Sequence, residues 1–306
     1  MIMKVLALLA ALSVFEIVRE HYGFCASRYE IYSEKLKGMD GKCRIVFLSD
    51  LHGQTYGKEN EKLLMAVQKE KPDYILIGGD MLVGKPERDF QEAAGFVRKL
   101  PAICPVYYAN GNHEQRMKER PEKYKDMYVS YKKKLEEAGV HMLENSTAEV
   151  MAGHLPVRVT GLEIPKENYG RRAKRSLDKE TICSLAGECA SASYQILLAH
   201  NPCYMEAYFD WGADLILSGH LHGGIVRLPG IGGVISTGFK LFPKFSGGIY
   251  RRGEQTAVVS RGIGTHTIPV RLFNPAEIVI LDLREAAVRL PVSLYTEGCG
   301  TRENLV

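Results

Sequence analysis

Five short apolar runs in this chain each stop at a side chain that can bind a cation. They are RIVFLSDLH (Arg44–His52), YILIGGD (Tyr74–Asp80), VYYANGNHE (Val106–Glu114), YQILLAHNP (Tyr194–Pro202) and DLILSGHLHGG (Asp214–Gly224). The candidate residues are Asp50, His52, Asp80, Asn112, His113, His200, His220 and His222. Carboxylate, amide and imidazole together suit Mn²⁺, Fe or Zn²⁺, and the lack of thiolates argues against a structural zinc site. Residues two apart on extended backbone point the same way, so Asp50 with His52, and His220 with His222, are expected to grip one ion per pair. Asp80, after two glycines, is placed to bridge two ions. One D-x-H or H-x-H alone is more often an accident of surface or core. Five such endings in one chain imply a cage for more than one divalent cation.

The cage requires elements that bring distant residues to one place. Each run has the length of a buried strand, and Gly, Asn or Asp follows where a strand should stop. Carboxyl ends of neighbouring strands meet at a crevice where open α/β sheets place their chemistry. Helical spacing over Lys58–Lys69 and Asp89–Leu100, ended by Pro72 and Pro101, gives a β-α-β-α-β first half with parallel strands. Partial alternation over Arg28–Leu36 suggests an edge strand, and Pro121–Ala138 reads as one long charged helix. Beyond Gly223, the runs Ile225–Leu228, Gly233–Ser236, Gly248–Tyr250, Ala257–Ser260 and Glu277–Leu283 read as a meander forming a second sheet. The GIGG at Gly230–Gly233 has neither the spacing nor the following helix of a dinucleotide fingerprint.

A chain of 306 residues can bury one substantial core, and its net charge of +4 is too small to argue for nucleic-acid binding. The seven cysteines are scattered without CxxC spacing, unlike a disulfide framework. Lys4 precedes an apolar run, Val5–Phe15, short for a membrane span and lacking a small-x-small cleavage site after it. The expected organisation is an N-terminal anchor or signal at 1–20, a linker with an edge strand at 21–42, a catalytic domain at 43–284 and a tail at 285–306. An uncleaved anchor is the preferred reading, which makes the protein membrane-associated. Arg171, Arg172, Lys174 and Arg175 form a basic run that reads as an exposed loop, with phosphate or lipid headgroups as the alternative.

In order, D-x-H (Asp50, His52), GD (Gly79, Asp80), GNHE (Gly111–Glu114), a lone His200 and GHLH (Gly219–His222) resemble the calcineurin-like metallophosphoesterase superfamily, from about Cys43 to Leu283. The resemblance implies an α/β fold, a four-layer α/β/β/α sandwich with two metal ions in the mouth between its sheets. By position, Asp50, His52, Asp80 and His222 would hold one ion, and Asp80, Asn112, His200 and His220 the other. His113 would protonate the leaving oxygen or stabilise the phosphoryl group. The N-terminal run and SGHLHGGIVRLPGIGG look like the membrane-anchored bacterial branch, similar to enzymes such as UDP-2,3-diacylglucosamine hydrolases. The expected substrate is a phosphorylated small molecule or lipid carrying a phosphodiester or pyrophosphate. A nucleotide or nucleic-acid phosphodiesterase and an inactive metal-binding scaffold are the alternatives. One departure stands out: where the protein-phosphatase branch has a second Asp and an Arg after GD, this chain has Val83 and Gly84. Neither orients His113 by a side chain, and Glu114 is a poor candidate because adjacent side chains diverge.

Overall fold

The computed structural model describes residues 2–169, 176–228, 230–236, 241–265, 270–286 and 303–305. Helix α1 (Ile2–Tyr22) leads into β1 (Phe24–Ser33) and β2 (Cys43–Leu48). The chain then alternates through α2 (Glu61–Lys69), β3 (Tyr74–Ile77), α3 (Gln91–Val97), β4 (Val106–Ala109), α4 (Asn112–Glu119), α5 (Pro121–Tyr124), α6 (Met127–Glu137) and β5 (Val140–Leu143). A second series follows: β6 (Ser146–Ala152), β7 (Leu155–Leu162), α7 (Lys179–Ala186), β8 (Tyr194–Ala199), α8 (Met205–Trp211) and β9 (Leu215–Ser218). The last strands are β10 (Val226–Leu228), β11 (Gly232–Ile235), β12 (Gly248–Arg252), β13 (Gln255–Val259), β14 (Ala276–Glu285) and β15 (Glu303–Leu305).

Two large sheets result, in the orders β15-β1-β14-β2-β3-β4-β5 and β12-β13-β9-β8-β7-β6. Strands β2 through β5 run parallel, as do β7, β8, β9 and β13. The apolar runs are unbroken because both faces of these strands are covered. In β2, Ile45 and Phe47 face the layer shared with the second sheet, meeting Ile196, Leu198 and Leu217. Val46 and Leu48 face the opposite way, toward Leu63 and Val67 of α2 and Phe96 of α3. On the far side, Leu197 and Ile216 pack under Ile182 of α7 and Tyr208 and Trp211 of α8. Helices, sheet, sheet and helices form the expected four-layer sandwich.

Two sequence expectations are corrected. The helix expected over Pro121–Ala138 is broken at Lys125, whose φ of 52° ends α5 before α6 begins. The expected meander is divided: β10 and β11 form a two-stranded sheet of their own, β12 and β13 join the second sheet, and β14 crosses back to the first. There β14 runs parallel to β1 and antiparallel to β2, because its near-continuous burial needs cover on both faces. The six described cysteines are free thiols.

Helix α1 carries exposed Val5, Leu6, Leu8, Leu12, Val14, Phe15 and Val18. Among the described residues, no helix is long and apolar enough to cross a membrane. The basic run at 171–175, His266 and most of the tail lie outside the described residues.

Candidate metal centre

All five strands that precede candidate residues end at the same edge of the sandwich. The β2–β3 register, Leu48 beside Ile77, brings Asp50 level with Gly79 and Asp80. Backbone bonds lock the two loops: Asp50 N to Gly79 O at 3.0 Å and His52 N to Asp80 O at 3.1 Å. From the second sheet, Gly219 N donates to His200 O at 3.0 Å, joining the ends of β8 and β9. Glycine is required where these loops touch. A Cβ on Gly79 would lie 2.0 Å from Gly111 N, and one on Gly219 2.1 Å from Asp50 Oδ2.

Asp50 and Asp80 sit at the centre, both fully buried. Asp50 Oδ1 lies 3.3 Å from His222 Nε2 and 3.8 Å from both His52 Nε2 and His200 Nε2. Asp80 Oδ2 lies 3.1 Å from His200 Nε2, 3.8 Å from His52 Nε2 and 3.9 Å from His113 Nε2. His52 Nε2 and His222 Nε2 approach to 3.0 Å. Ligand atoms of Asp50, His52 and His222 cluster within 4.8 Å of one another, as do those of Asp80, His200 and His220. Asn112 opens α4 beside Asp80, whose Oδ1 accepts the His113 N–H at 2.8 Å. The structure thus brings all eight candidate residues into one crevice.

The donor set fits divalent ions. Asn112 Oδ1 is buried without a hydrogen bond, a costly arrangement that a cation would relieve. Asp50, His52, Asp80, His220 and His222 all have φ between 48° and 69°. Left-handed backbone is uncommon outside glycine and costs on the order of 1 kcal/mol or more per residue, persisting where a site requires it. This corrects the extended geometry expected for the D-x-H and H-x-H pairs: the residues lie past the strand ends, in turns. The carboxylates and imidazoles also shift against one another. Burial would raise Asp50 and Asp80, yet the surrounding histidines hold both below the usual carboxylate range. Burial and His200 push His220 down to about 3, whereas Asp80 and Asp50 overcome burial and lift His200 to about 10.

Hydrogen-bond partners separate two kinds of histidine. His200 Nδ1 lies 2.7 Å from the Gly78 carbonyl and His222 Nδ1 3.2 Å from the Gly264 carbonyl. Nδ1 must therefore donate in both, which turns Nε2 to the centre, where a cation would displace the proton that Asp80 and Asp50 hold on His200. His113 is the reverse: the Gly84 N–H donates to its Nδ1 at 2.8 Å. A neutral His113 carries its proton on Nε2 and cannot ligate through that atom, although Asp80, His52 and His113 cluster closely enough to suggest a ligand group. Sequence reasoning missed this orienting group because a backbone N–H leaves no residue signature.

Glu114 was also undervalued. Its carboxylate does not orient His113 but ties the loops after β3 and β4, accepting Asp80 N at 2.9 Å, Met81 N at 3.0 Å, Gly111 N at 3.1 Å and, from within β4, Tyr108 OH at 2.7 Å. Two further residues mark the rim. Tyr169 sets its ring edge-on to His220 at 5.5 Å, and half-buried Arg116 follows His113 by one turn of α4.

Comparison with known proteins agrees with this geometry. The family model described as calcineurin-like phosphoesterase matches residues 43–224. A "Transmembrane protein with metallophosphoesterase domain" from Danio rerio is 29% identical over 92% of this chain and 63% of its own length. The uncharacterized metallophosphoesterase YkoQ of Bacillus subtilis is 27% identical, covering 78% of this chain and 82% of its own. Phosphodiesterase YaeI of Escherichia coli is 24% identical over 88% of both chains. With the family match spanning more than half of the sequence and the donor set assembled at its strand ends, this chain belongs to the calcineurin-like phosphoesterase family and is a metal-dependent phosphoesterase.

Proposed function

We propose that this enzyme hydrolyses a phosphodiester or pyrophosphate bond at a dinuclear centre. Asp50, His52, Asp80 and His222 would hold one ion, and Asp80, Asn112, His200 and His220 would hold the other. The observation that carries this reading is the division among the histidines: carbonyls tie Nδ1 of His200 and His222 and turn their Nε2 to the centre, whereas a backbone N–H ties Nδ1 of His113 and leaves it an Nε2–H. Divalent ions bound there lower the pKa of water and neutralise charge on the phosphoryl oxygens. The chain's own residues do the rest. Asp80, fixed through its bond from His113 N, sets the spacing between the two halves of the cage. The Nε2–H of His113 donates to a phosphoryl or leaving-group oxygen, and burial, against the opposing charge of Asp80 and with help from Arg116, keeps that imidazole neutral.

Membrane association and a lipid-linked substrate, such as a UDP-diacylglucosamine-type molecule, complete the proposal. The exposed apolar side chains of α1 support it, and the relative from Danio rerio bears the name of a transmembrane protein. Helix α1 would then lie at the membrane surface rather than cross it.

The test is hydrolysis of bis(p-nitrophenyl) phosphate with added Mn²⁺, Fe²⁺ or Zn²⁺, alongside metal content by mass spectrometry. Wild type should bind two ions per chain and turn over. Asp80→Asn and His220→Ala should lose both properties, and equal rates in all three proteins would refute the assignment.

A further inference from the structure

The loop that carries His220 and His222 has no ladder of its own. His220, His222, Gly223 and Gly224 all have positive φ, from 53° to 92°, so their carbonyls need partners from elsewhere. Asn274 provides them. Its Nδ2 donates to His222 O at 2.7 Å and to Gly224 O at 2.6 Å, and Arg271 Nη1 reaches His222 O at 3.4 Å and Asn274 O at 3.2 Å. The fit is close: a Cβ on Gly223 would lie 2.3 Å from Asn274 Oδ1.

Asn274 is held in turn by the last turn of α1. Its backbone N–H donates to Glu20 Oε2 at 2.9 Å, with both residues essentially sealed from solvent at 0% and 2% exposure. One residue on, the His21 carbonyl accepts Gln54 Nε2 at 3.4 Å, and Gln54 lies just beyond His52. The end of a helix that bears exposed apolar side chains therefore touches the loop that supplies Asp50 and His52, and through Asn274 reaches the loop that supplies His222. Glu20 Oε1 makes no hydrogen bond, and Arg19 Nη2 stands 3.7 Å from it. A buried carboxylate with only one oxygen hydrogen-bonded contributes little to folding. Its consequence is where the Asn274 bridge sits.

We propose that Glu20 is a positioning residue for the metal centre: through Asn274 it sets the loop of His222, so that the ion held by Asp50, His52 and His222 binds tightly only while α1 is seated. The inference rests on the dinuclear reading above. Groups hydrogen-bonded directly to a metal ligand typically change metal affinity by about 10- to 100-fold when removed, and Glu20, which acts through two hydrogen bonds in series, belongs at the low end of that range. Coupling between two sites is reciprocal, so metal binding must also hold the end of α1 in place.

The experiment uses the full-length chain, stripped of metal and titrated with Mn²⁺ by calorimetry and electron paramagnetic resonance. Glu20→Ala should weaken one of the two sites by about tenfold or more and leave the other within about threefold. Glu20→Gln, which keeps an acceptor for the Asn274 N–H, should restore wild-type binding. Glu70→Ala is the control for lost stability alone, since Glu70 is a buried carboxylate that pairs with Arg28 away from the site. It should lower the unfolding temperature and leave both affinities unchanged. Hydrogen exchange at residues 16–22 should slow on Mn²⁺ addition in wild type and Glu20→Gln, and not in Glu20→Ala. The proposal fails if Glu20→Ala leaves both sites intact, weakens them equally, or behaves like Glu70→Ala. A wild type that binds no Mn²⁺ would overturn the dinuclear reading as well.

Discussion

Replacing Glu114 by Gln tests whether one carboxylate holds the metal-binding loops together. Oε1 accepts Met81 N and Tyr108 OH, and Oε2 accepts Asp80 N and Gly111 N. An amide can keep only one of these oxygens. With its NH₂ on the Oε2 side, two backbone N–H groups would face a donor. With its NH₂ on the Oε1 side, Tyr108 OH can rotate to accept, since Tyr131 OH lies 3.1 Å away as a second partner. Only Met81 N–H is then orphaned, so this orientation wins. One buried unpaired donor costs about 1–3 kcal/mol, and the remaining bonds lose their charge assistance at about 1 kcal/mol more. Burial and the charge of Asp80 push Glu114 up to about 7, so relief of that repulsion returns part of the loss. The net expectation is a destabilisation of about 2–3 kcal/mol, read as a lower urea midpoint at unchanged slope in metal-free protein. Weaker Mn²⁺ binding should accompany it, because Asp80 and Gly111 are no longer tied. A Glu114→Gln protein within about 0.5 kcal/mol of wild type would show that the four bonds do not stabilise these loops.

Gly79→Ala should abolish metal binding and lower the unfolding temperature sharply, because its Cβ would meet Gly111 N at 2.0 Å and Gly111 Cα at 2.4 Å. Gly187→Ala, with nothing within 4 Å but at φ 83° and ψ 176°, a region almost confined to glycine, should cost about 1–3 kcal/mol by thermal unfolding from backbone strain alone. Glu144 sets an acid dependence. Burial alone would raise its pKa, yet bonds from Lys118, Lys132 and Tyr128 draw it down to about 2. A depressed carboxylate stabilises fully above its unfolded value near 4.5, and that contribution of about 2 kcal/mol is lost as pH falls toward 2. Glu144→Gln should flatten unfolding free energy against pH between those limits, and an unchanged profile would refute the assignment. Arg116→Ala should reduce kcat/KM by about 10-fold or more, the range for a charged contact to phosphate, with unfolding temperature unchanged. Unaltered kinetics would remove Arg116 from the site.

Much of the layout was legible along the chain. Burial on both faces demands unbroken apolar runs, so β2, β3, β4, β8 and β9 could be read locally, each with its polar residue directly after it. The crossover helices α2 and α3 were legible too, because one apolar face and a terminating proline are neighbours in sequence, whereas α7 and α8 went unread. The ordered D-x-H, GD, GNHE, His and GHLH endings then implied both sandwich and cage. Pairings between distant segments left no such trace. Strand β14 has the same composition as a second-sheet strand, and its place beside β2 depends on which uncovered edge is nearest in space.

The residue types that could form a metal cage were determined by the sequence alone, since ligand chemistry belongs to the side chain. Their roles were decided in three dimensions. The Gly84 N–H that turns His113 from ligand to donor, the left-handed turns of Asp50 and His222, and the bridge from Glu20 through Asn274 all run through backbone groups. Every residue except proline carries the same N–H and every residue the same C=O, so only the folded path shows which of them meet.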